Sequence, residues 1–439
     1  MIKQFKHSDI QPDQAKLVTA WLLLGLSALV ASGLFSILLV VSRTPGIQEH
    51  IPILDFFHTA LVAHVDLSVL VWFLSFSCVF WSLSSKRVFA LDWAGVALAI
   101  AGTLIITVSP FLGETKPLIN NYVPVLQQSL FLWGLAIFSM GCLIRLVTRF
   151  LSRSNKNAFD TGTLIAAMIS TLAFVTLVWT YFMIPEDVKG TLFYEQLFWG
   201  AGHVLQFSHT VLMLVAWFLL AHVIQERLMS NETIIQNLLI LTALPVLYTV
   251  LILFKDVEFQ REAFTQLMRL GGIAAVPAGL FAVFKSPWKK PSITLYPGAR
   301  SALLSSIVLF TVGGILAFMI QGVNVVIPAH YHGSIVGVTL AFFGVTFYLL
   351  PTLGYKIKLV KLANAQPYIY AAGQLMHITG LAWSGGYGVQ RKTAGAAQDL
   401  ERLPEIAGMA LMGMGGLVAI IGGILFLVVA FHAIFKGKS

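Results

Sequence analysis

The chain has 439 residues, of which 57% are hydrophobic and only 11% are charged, and its mean hydropathy is +0.84. A soluble enzyme of this length would carry far more charge, so the composition indicates an integral membrane protein. The apolar stretches do not alternate with polar residues, which excludes a β-barrel built from short amphipathic strands. The formal net charge of +9 needs no nucleic-acid partner, because membrane topology explains it.

Twelve apolar runs follow one another along the chain, and each is long enough to cross a bilayer as a helix. We therefore predict an all-α integral membrane protein, a twelve-transmembrane-helix bundle that forms one domain over residues 1–439. The first run follows about fifteen polar residues and is too long for a signal-peptide core, so no cleaved leader is expected. The runs cover residues 16–42, 56–84, 88–111, 122–148, 162–184, 194–224, 234–254, 263–284, 298–321, 325–351, 366–387 and 405–435.

The distribution of lysine and arginine predicts the orientation of this bundle. If the N-terminus lies in the cytoplasm, most of these residues fall in loops on the cytoplasmic side. By the positive-inside rule, both termini are then cytoplasmic. We expect a multi-pass protein of a bacterial or archaeal cytoplasmic membrane, in contact with membrane lipid.

Four histidines stand out within the apolar runs. His330 and His332 are two residues apart in helix 10, so their side chains point about 200° apart and cannot hold one ion together. One helix then serves two separate centres, a geometry that suits two haems, each held by one imidazole nitrogen. His64 in helix 2 and His203 in helix 6 fall at the same predicted depth, the outer third of the membrane. Ionisable residues are costly there and indicate function.

These histidines and their flanking residues resemble subunit I, the catalytic subunit of the haem-copper oxidase superfamily. The resemblance is greatest to the divergent branches that include nitric oxide reductases and B-type oxidases, and its motifs follow the same order along twelve helices. They are Leu61-Val62-Ala63-His64, Phe198-Trp199-Gly200-Ala201-Gly202-His203, Ala329-His330-Tyr331-His332, Phe347-Tyr348-Leu349-Leu350-Pro351 and the basic pair Arg391-Lys392.

The resemblance implies two haems. His64 and His332 would bind a low-spin haem, His330 would be the proximal ligand of a high-spin haem, and Arg391 with Lys392 would hold haem propionates. An iron with two axial histidines has no vacancy and only passes electrons, whereas a five-coordinate iron can bind a diatomic gas. The high-spin haem is therefore the expected reaction site.

Two departures from the family pattern bear on the chemistry. Where helix 7 of the family supplies two adjacent histidines to a second metal, this chain has Thr249-Val250, and His203 alone would hold copper poorly. An ordinary copper centre is not expected, and a second metal, iron or copper, stays open. Phe207 stands where many oxidases have a tyrosine four residues after the helix-6 ligand. Nitric oxide reductases of the superfamily also lack that tyrosine, which favours nitric oxide chemistry.

Several further residues are candidates for the site, each with a structural alternative. Gln206 shares a helix face with His203 and could bond a bound ligand or simply pack. Tyr248 adjoins the vacated helix-7 positions as a proton donor or a core residue. The remaining candidates, for a proton relay, a second metal or a haem contact, are Asp66, His209, Glu258, Glu262 and His377.

We expect an oxidoreductase that delivers electrons to a small gas at the high-spin haem, with nitric oxide reduction first and oxygen reduction as the alternative. The chain has no CxxCH motif and only two cysteines, so an external donor subunit, a c-type cytochrome or a cupredoxin would supply the electrons. A haem protein that transfers electrons or senses gas without turnover is a further alternative. A secondary transporter also fits twelve helices with 36 glycines and 16 prolines, but it needs no A-H-Y-H motif.

Overall fold

The computed structural model describes residues 10–47, 56–152, 157–225, 232–285, 288 and 296–437. Each predicted apolar run corresponds to a long helical segment. These are α1 (Pro12–Val41), α2 (Phe57–Leu83), α3 (Ala90–Phe111), α4 (Ser129–Leu151), α5 (Ala158–Met183), α6 (Gly190–Gln225), α7 (Glu232–Ile252), α8 (Val257–Lys285), α9 (Ala299–Ala317), α10 (Val326–Thr352), α11 (Val360–Gly385) and α12 (Leu403–Lys436).

Within the described ranges, eleven of these segments are long and apolar enough to cross a membrane. The twelfth, α11, has 26 residues and is as long as its neighbours, but it carries polar residues such as Lys361, Asn364 and Gln374. The prediction of an all-α membrane bundle is confirmed. The cytoplasmic position of both termini stays a prediction.

Three of the segments change their helical type midway. In α2, a π-helical stretch from Asp66 to Val71 separates two α-helical parts, and such stretches often occur at functional sites. In α7 and α8, 3-10 turns lie at Leu244–Tyr248 and Gly272–Ala275. Pro245 explains the first of these, because it has no N–H for the α-helical hydrogen bond.

The only described strands, each of two residues, form a hairpin in the connection between α3 and α4. β1 (Pro117–Leu118) pairs antiparallel with β2 (Val125–Leu126), with Pro117 opposite Leu126. The predicted fourth helix therefore starts later than expected, at Ser129. The turn of this hairpin carries Tyr122.

The backbone divides into two compact units. Unit 1 comprises Met1–Ala28 and Val65–Ser286, and unit 2 comprises Leu29–His64 and Pro287–Ser439. The prediction of one domain over the whole chain is not tested by this division and stays a prediction.

In unit 1, α3 and α4 pack through small residues. A Cβ atom at Gly102 would lie 2.7 Å from the carbonyl oxygen of Gly134, so the two backbones are in direct contact, as is common between membrane helices. The same pair of helices carries a buried ion pair, in which Arg145 donates to Asp92 at 2.8 Å.

In unit 2, α9 and α10 approach in the same way, because Gly313 and Gly333 face each other at 2.6 Å between the Cα of Gly313 and a Cβ built at Gly333. α11 and α12 meet at Gly380 and Gly408. Helix α10 is buried along most of its length. Unit 2 therefore contains a buried histidine-bearing helix between closely packed neighbours.

Candidate functional site

His330 is held by a backbone carbonyl. Its Nδ1 lies 2.8 Å from the carbonyl oxygen of Gly313 on α9, and the Gly313–Gly333 contact brings the two helices close enough for this bond. Because only a ring N–H can donate to a carbonyl, Nδ1 carries the proton and Nε2 carries the lone pair. A histidine whose Nδ1–H is bonded in this way is set up to bind a metal through Nε2.

His332 faces a different neighbour. Its ring centroid lies 5.0 Å from that of His377 on α11, with the ring planes 61° apart. The ring centroid of Tyr331 lies 5.2 Å from that of His332, with the ring planes 30° apart. His330 and His332 therefore contact α9 and α11 respectively, as their two-residue spacing requires.

His64 is also held through Nδ1. This atom lies 3.1 Å from the carbonyl oxygen and 2.9 Å from the hydroxyl oxygen of Ser32 on α1. The Ser32 hydroxyl donates to the carbonyl oxygen of His64 at 3.1 Å. The carbonyl contact again assigns the proton to Nδ1 and the lone pair to Nε2. His64, His330, His332 and His377 all belong to unit 2.

Arg43, just after α1, is a cation that sequence reasoning missed. Its Nε and Nη2 are buried and have no hydrogen-bond partner in the described part of the chain. Burial lowers the pKa of the Arg43 guanidinium, and its interaction with the Tyr331 phenol partly opposes this shift. The connection before α12 covers this corner, since Gly395 donates to the Ser42 carbonyl at 3.0 Å and Gln398 to that of Arg43 at 3.4 Å.

Arg391 and Lys392 lie in the same unit, in the connection after α11. Arg391 is close enough to Tyr331 for an electrostatic interaction. Lys392 has a left-handed backbone with a φ of 62°, and its carbonyl oxygen lies 3.1 Å from Nε2 of His58. Arg391 thus joins Arg43 beside Tyr331, the residue between the two candidate haem ligands.

The residues of unit 2 fit a haem. Among the described residues no group of three or more His, Cys, Asp or Glu side chains could hold a metal ion by itself, whereas a haem iron already has four macrocycle nitrogens and needs only one or two histidines. The buried Nε–Nη2 edge of Arg43 offers two parallel donors to a carboxylate such as a haem propionate. His64, His330 and His332 supply the axial nitrogens.

His203 lies in unit 1 and is 5% exposed. Its Nδ1 lies 2.7 Å from the carbonyl oxygen of Trp199, and its ring is flanked by Tyr122 at 4.8 Å and Trp199 at 4.9 Å between centroids. Gly202 permits this arrangement, because a Cβ there would meet the Tyr122 ring. Burial, and to a smaller extent the Glu195 carboxylate, raises the pKa of the Tyr122 phenol.

An α8 cation, and not one of the predicted acids, contacts Trp199. Trp199 Nε1 donates to the carbonyl oxygen of Arg261 at 2.9 Å, and the guanidinium of Arg261 lies 5.3 Å from the Trp199 ring centroid. Trp199 is part of the helix-6 motif, whereas Tyr122 and Arg261 were not singled out from the sequence. Tyr122 reaches His203, and Arg261 reaches Trp199, only through the tertiary fold, which no local spacing reveals.

Two acids in or beside α8 have local partners. Asp256 caps the helix by accepting a hydrogen bond from Phe259 N at 2.8 Å. Glu262 accepts from Gln266 at 2.6 Å, and both Glu258 and Glu262 are exposed. A metal-binding role for Glu258 or Glu262 stays a prediction.

The other candidates in unit 1 differ in burial. Asp66 is fully buried, and neither carboxylate oxygen has a partner in the described structure. Oε1 of Gln206 and Nε2 of His209 are also buried without a partner there, and the His209 ring packs against Phe73 at 4.9 Å. Tyr248 is 46% exposed. Their roles in catalysis or proton transfer stay predictions.

The two residues that stand where the family has its helix-7 histidines differ in exposure. Thr249 is fully buried, whereas Val250 is 47% exposed. Phe207, at the position of the absent tyrosine, is 3% exposed, and its Cζ would lie 3.2 Å from a Cβ at Gly271. The ring of Phe207 is thus packed within the unit, facing α8.

Comparison with known proteins shows the family to which this chain belongs. The family model described as cytochrome c and quinol oxidase polypeptide I matches residues 16–431. The protein RP382 of Rickettsia prowazekii (strain Madrid E) is 31% identical over 512 aligned residues and covers 99% of both chains. A protein of Aquifex aeolicus (strain VF5) is 28% identical over 357 residues, covering 79% of this chain and 88% of its own.

A solved structure gives the same fold. The structure of a heme-copper terminal oxidase dimer superposes with a TM-score of 0.75 at 19% identity, covering 98% of this chain and 85% of that one. The family match, which spans nearly the whole chain, confirms the resemblance inferred from the histidine motifs. The chain therefore belongs to the cytochrome c and quinol oxidase polypeptide I family, the subunit I of the haem-copper oxidase superfamily, and is a haem-binding membrane oxidoreductase that reduces oxygen or a related gas.

Proposed function

We propose that this chain is a dihaem gas reductase in which one helix, α10, serves both haems. His64 and His332 hold the low-spin haem, and His330 holds the high-spin haem. The observation that carries this proposal is the divergence of the two α10 imidazoles: His330 bonds to Gly313 on α9, while His332 contacts His377 on α11. A haem held by one histidine supplies an iron with an open position for a diatomic gas.

The protein groups in unit 2 orient the cofactors. The bonds from Nδ1 of His64 and His330 to backbone carbonyls orient the two rings and assign the lone pair to Nε2, the nitrogen that would bind a haem iron. Arg43 and Arg391 provide positive charge for haem carboxylates beside Tyr331. This positive charge would orient a haem through its propionates and would offset the cost of burying them.

We propose nitric oxide as the first substrate. Its reduction follows 2 NO + 2 H⁺ + 2 e⁻ → N₂O + H₂O, a reaction that breaks no O–O bond. An oxidase tyrosine that donates a proton and an electron to a breaking O–O bond is absent, because Phe207 occupies its position. The paired helix-7 metal ligands are absent too, replaced by the buried Thr249 and the exposed Val250.

Oxygen is the second candidate. Its reduction follows O₂ + 4 H⁺ + 4 e⁻ → 2 H₂O, and the name of the matching family refers to oxidases. The Tyr122 phenol beside His203 is the one described tyrosine in contact with that histidine, so it is a candidate to replace the tyrosine absent from α6. This contact is the specific observation in favour of oxygen.

The presence of a second metal also bears on the choice between nitric oxide and oxygen. His203 has its Nδ1 engaged with the Trp199 carbonyl, which leaves Nε2 as its metal-binding nitrogen, but a lone imidazole is a weak copper site. We propose that His203 and Gln206, which share a face of α6, act as hydrogen-bonding groups rather than as copper ligands. A cytoplasmic-membrane location and an external electron donor, a c-type cytochrome or a cupredoxin, complete the proposal.

Spectra and turnover test the function on one purified sample. Reduced and reduced-plus-CO absorbance, with haem and metal content, should give two haems per chain, one of them CO-reactive. His330→Ala should abolish CO binding and retain the low-spin haem, while His432→Ala, a histidine near the end of α12, should change neither. Electrode assays with nitric oxide and oxygen then rank the substrates.

The assay outcomes separate the alternatives. Faster nitric oxide than oxygen consumption supports the first candidate, and the reverse supports the second. Two haems without consumption of either gas would leave electron transfer or gas sensing as the function. A colourless protein would contain no haem, which would refute the dihaem proposal and favour a secondary transporter.

A further inference from the structure

The three candidate axial histidines are oriented by two different devices. His64 and His330 each have Nδ1 bonded to a backbone carbonyl, at 3.1 Å and 2.8 Å. His332 has no hydrogen bond from either ring nitrogen within the described part of the chain. Its described contacts are ring contacts, with Tyr331 and with His377. Rotation of the His332 ring about its Cβ–Cγ bond is therefore restrained by packing.

His377 is itself firmly held. Its Nδ1 lies 3.0 Å from the carbonyl oxygen of Met412 on α12. Two consecutive glycines of α12 allow this approach: a Cβ at Gly415 would meet the backbone nitrogen of His377, and a Cβ at Gly416 would lie 3.3 Å from its Nδ1. The ring is thus anchored to α12 by a hydrogen bond and by close backbone packing, and it presents a fixed surface to His332.

We propose that His377 is a positioning residue that sets the plane of the His332 imidazole. The inference rests on the proposed function, in which His332 and His64 are the two axial ligands of the low-spin haem. With the ring planes of His377 and His332 at 61°, rotation of His332 would drive its atoms into the anchored His377 ring. A carbonyl bond from Nδ1 of an axial histidine also makes it a stronger electron donor, and His332 lacks that bond.

This arrangement makes the two axial ligands unequal. The His64 plane is set by a hydrogen bond to Ser32, and the His332 plane is set by the edge of His377. The angle between the two imidazole planes is then a property that α11 controls. In a ferric haem with two histidine ligands, that angle determines the lowest-field g value in the electron paramagnetic resonance spectrum. The spectrum therefore reports the proposed role directly.

The test compares two replacements at position 377 in the purified full chain with its haems. His377→Leu removes the ring and the hydrogen bond, whereas His377→Phe keeps a flat ring against His332. We expect His377→Leu to shift or broaden the lowest-field signal of the low-spin haem, and His377→Phe to restore a single narrow signal near the wild-type position. His432→Leu, the same chemical change near the end of α12, should leave the signal unchanged.

A second variant perturbs the same contact without removing the histidine. Gly416→Ala would crowd both Val40 and His377, since its Cβ would lie 2.9 Å from Cγ2 of Val40 and 3.3 Å from Nδ1 of His377. We expect a smaller shift of the same signal, and this variant serves if His377→Leu does not accumulate. An unchanged signal in the leucine variant, or in Gly416→Ala when it is used instead, overturns the inference.

Other outcomes distinguish failure of the inference from failure of the proposed function. If His377→Leu converts the low-spin haem to a five-coordinate species, His377 is itself the ligand and the positioning role is wrong. If the wild-type protein has no bis-histidine signal, or if His332→Ala retains it, the proposed ligand pair is wrong. The midpoint potential of the low-spin haem, titrated in the same variants, gives an independent readout, and it should move in the leucine variant and recover in the phenylalanine variant.

Discussion

His330 donates from Nδ1 to the carbonyl oxygen of Gly313 at 2.8 Å, across the line where α9 and α10 touch. The bond exists because Gly313 has no side chain. A Cβ there would lie 2.7 Å from the carbonyl carbon of Gly333 and would also strike the backbone of Ser334. A Cβ at the next residue, Gly314, would have no atom within 4 Å. The site therefore requires a glycine at position 313 but not at position 314.

Gly313→Ala should disturb the high-spin haem. The added methyl group forces α9 away from α10, which stretches the His330–Gly313 bond, and overpacking of this kind costs about 1–3 kcal/mol. We expect a lower melting temperature in detergent and a reduced yield of the CO-reactive haem per chain. The reduced-plus-CO difference spectrum measures the second effect.

Gly314→Ala is the matched control for this prediction. It should leave both the melting temperature and the CO spectrum close to wild type, because the new methyl group enters open space. Equal effects of the two alanines would show that the α9–α10 contact does not orient His330.

The helices could be predicted from the sequence because a run of apolar residues long enough to span a bilayer has few other solutions. The ends of the helices could not be predicted in this way. The run from 122 gave no sign that residues up to Gln128 form a hairpin, because Tyr122 and Val125 are as apolar as helix residues. The structure begins α4 at Ser129. The run that starts at 263 missed the first turns of α8, which begins at Val257 and is amphipathic there.

The site could be predicted only where one helix carries the information. The spacing of His330 and His332 is local, so their divergence follows from helix geometry. Arg43, Tyr122 and the contact between His332 and His377 depend on segments far apart in the chain. Arg43 follows an apolar helix, where a basic residue has the ordinary explanation of a helix end, and only the burial of its Nε and Nη2 reveals more.

Arg43→Gln should weaken haem retention. The change removes the buried cationic edge and leaves a neutral amide opposite a propionate, and a hydrogen bond to a charged group contributes about 1.5–3 kcal/mol. We expect haem to dissociate roughly 10–100-fold more readily. Transfer of haem to apomyoglobin, followed by absorbance, measures this loss.

A conservative variant at position 43 and a variant at a distant arginine serve as controls for this prediction. Arg43→Lys keeps the charge but not the two-pronged edge, so its haem retention should be intermediate. Arg402→Gln, at an arginine whose side chain is 71% exposed, should retain haem as the wild type does. Loss of haem from both glutamine variants would indicate a general effect of charge.

Gly202→Ala should displace Tyr122 from His203. A Cβ at Gly202 would lie 2.9 Å from Cβ of Tyr122 and closer still to its ring, so the loop that carries Tyr122 must move. We expect a destabilisation of about 1–3 kcal/mol and faster proteolysis between α3 and α4. Gly279→Ala, in the same unit with no atom within 4 Å of its Cβ, should show neither change, and a proteolysis rate at the wild-type level in Gly202→Ala would contradict the contact.

The Arg145–Asp92 pair offers the largest expected effect on stability. Both side chains are 0% exposed, and Arg145 also donates to the Ser82 hydroxyl at 3.1 Å and to the Trp81 carbonyl at 2.7 Å. Asp92 gives no sign of a partner in the sequence, since Arg145 lies 53 residues away. Asp92→Asn keeps an oxygen for the Phe89 N–H but leaves the guanidinium without a counter-charge, which should cost about 3–5 kcal/mol.

The exposed pair Lys16–Asp13 is the control for the buried one. Its side chains are 69% and 75% exposed at a distance of 3.2 Å, so Asp13→Asn should change the free energy of unfolding by only about 0–1 kcal/mol. Unfolding in mixed detergent, followed by circular dichroism, compares the two. Replacing Asp92 by Leu and Arg145 by Met together should recover most of the loss, because no unpaired buried charge then remains. A double variant as unstable as Asp92→Asn would mean that the polar network around Arg145, rather than the charge pair, holds α3 against α4.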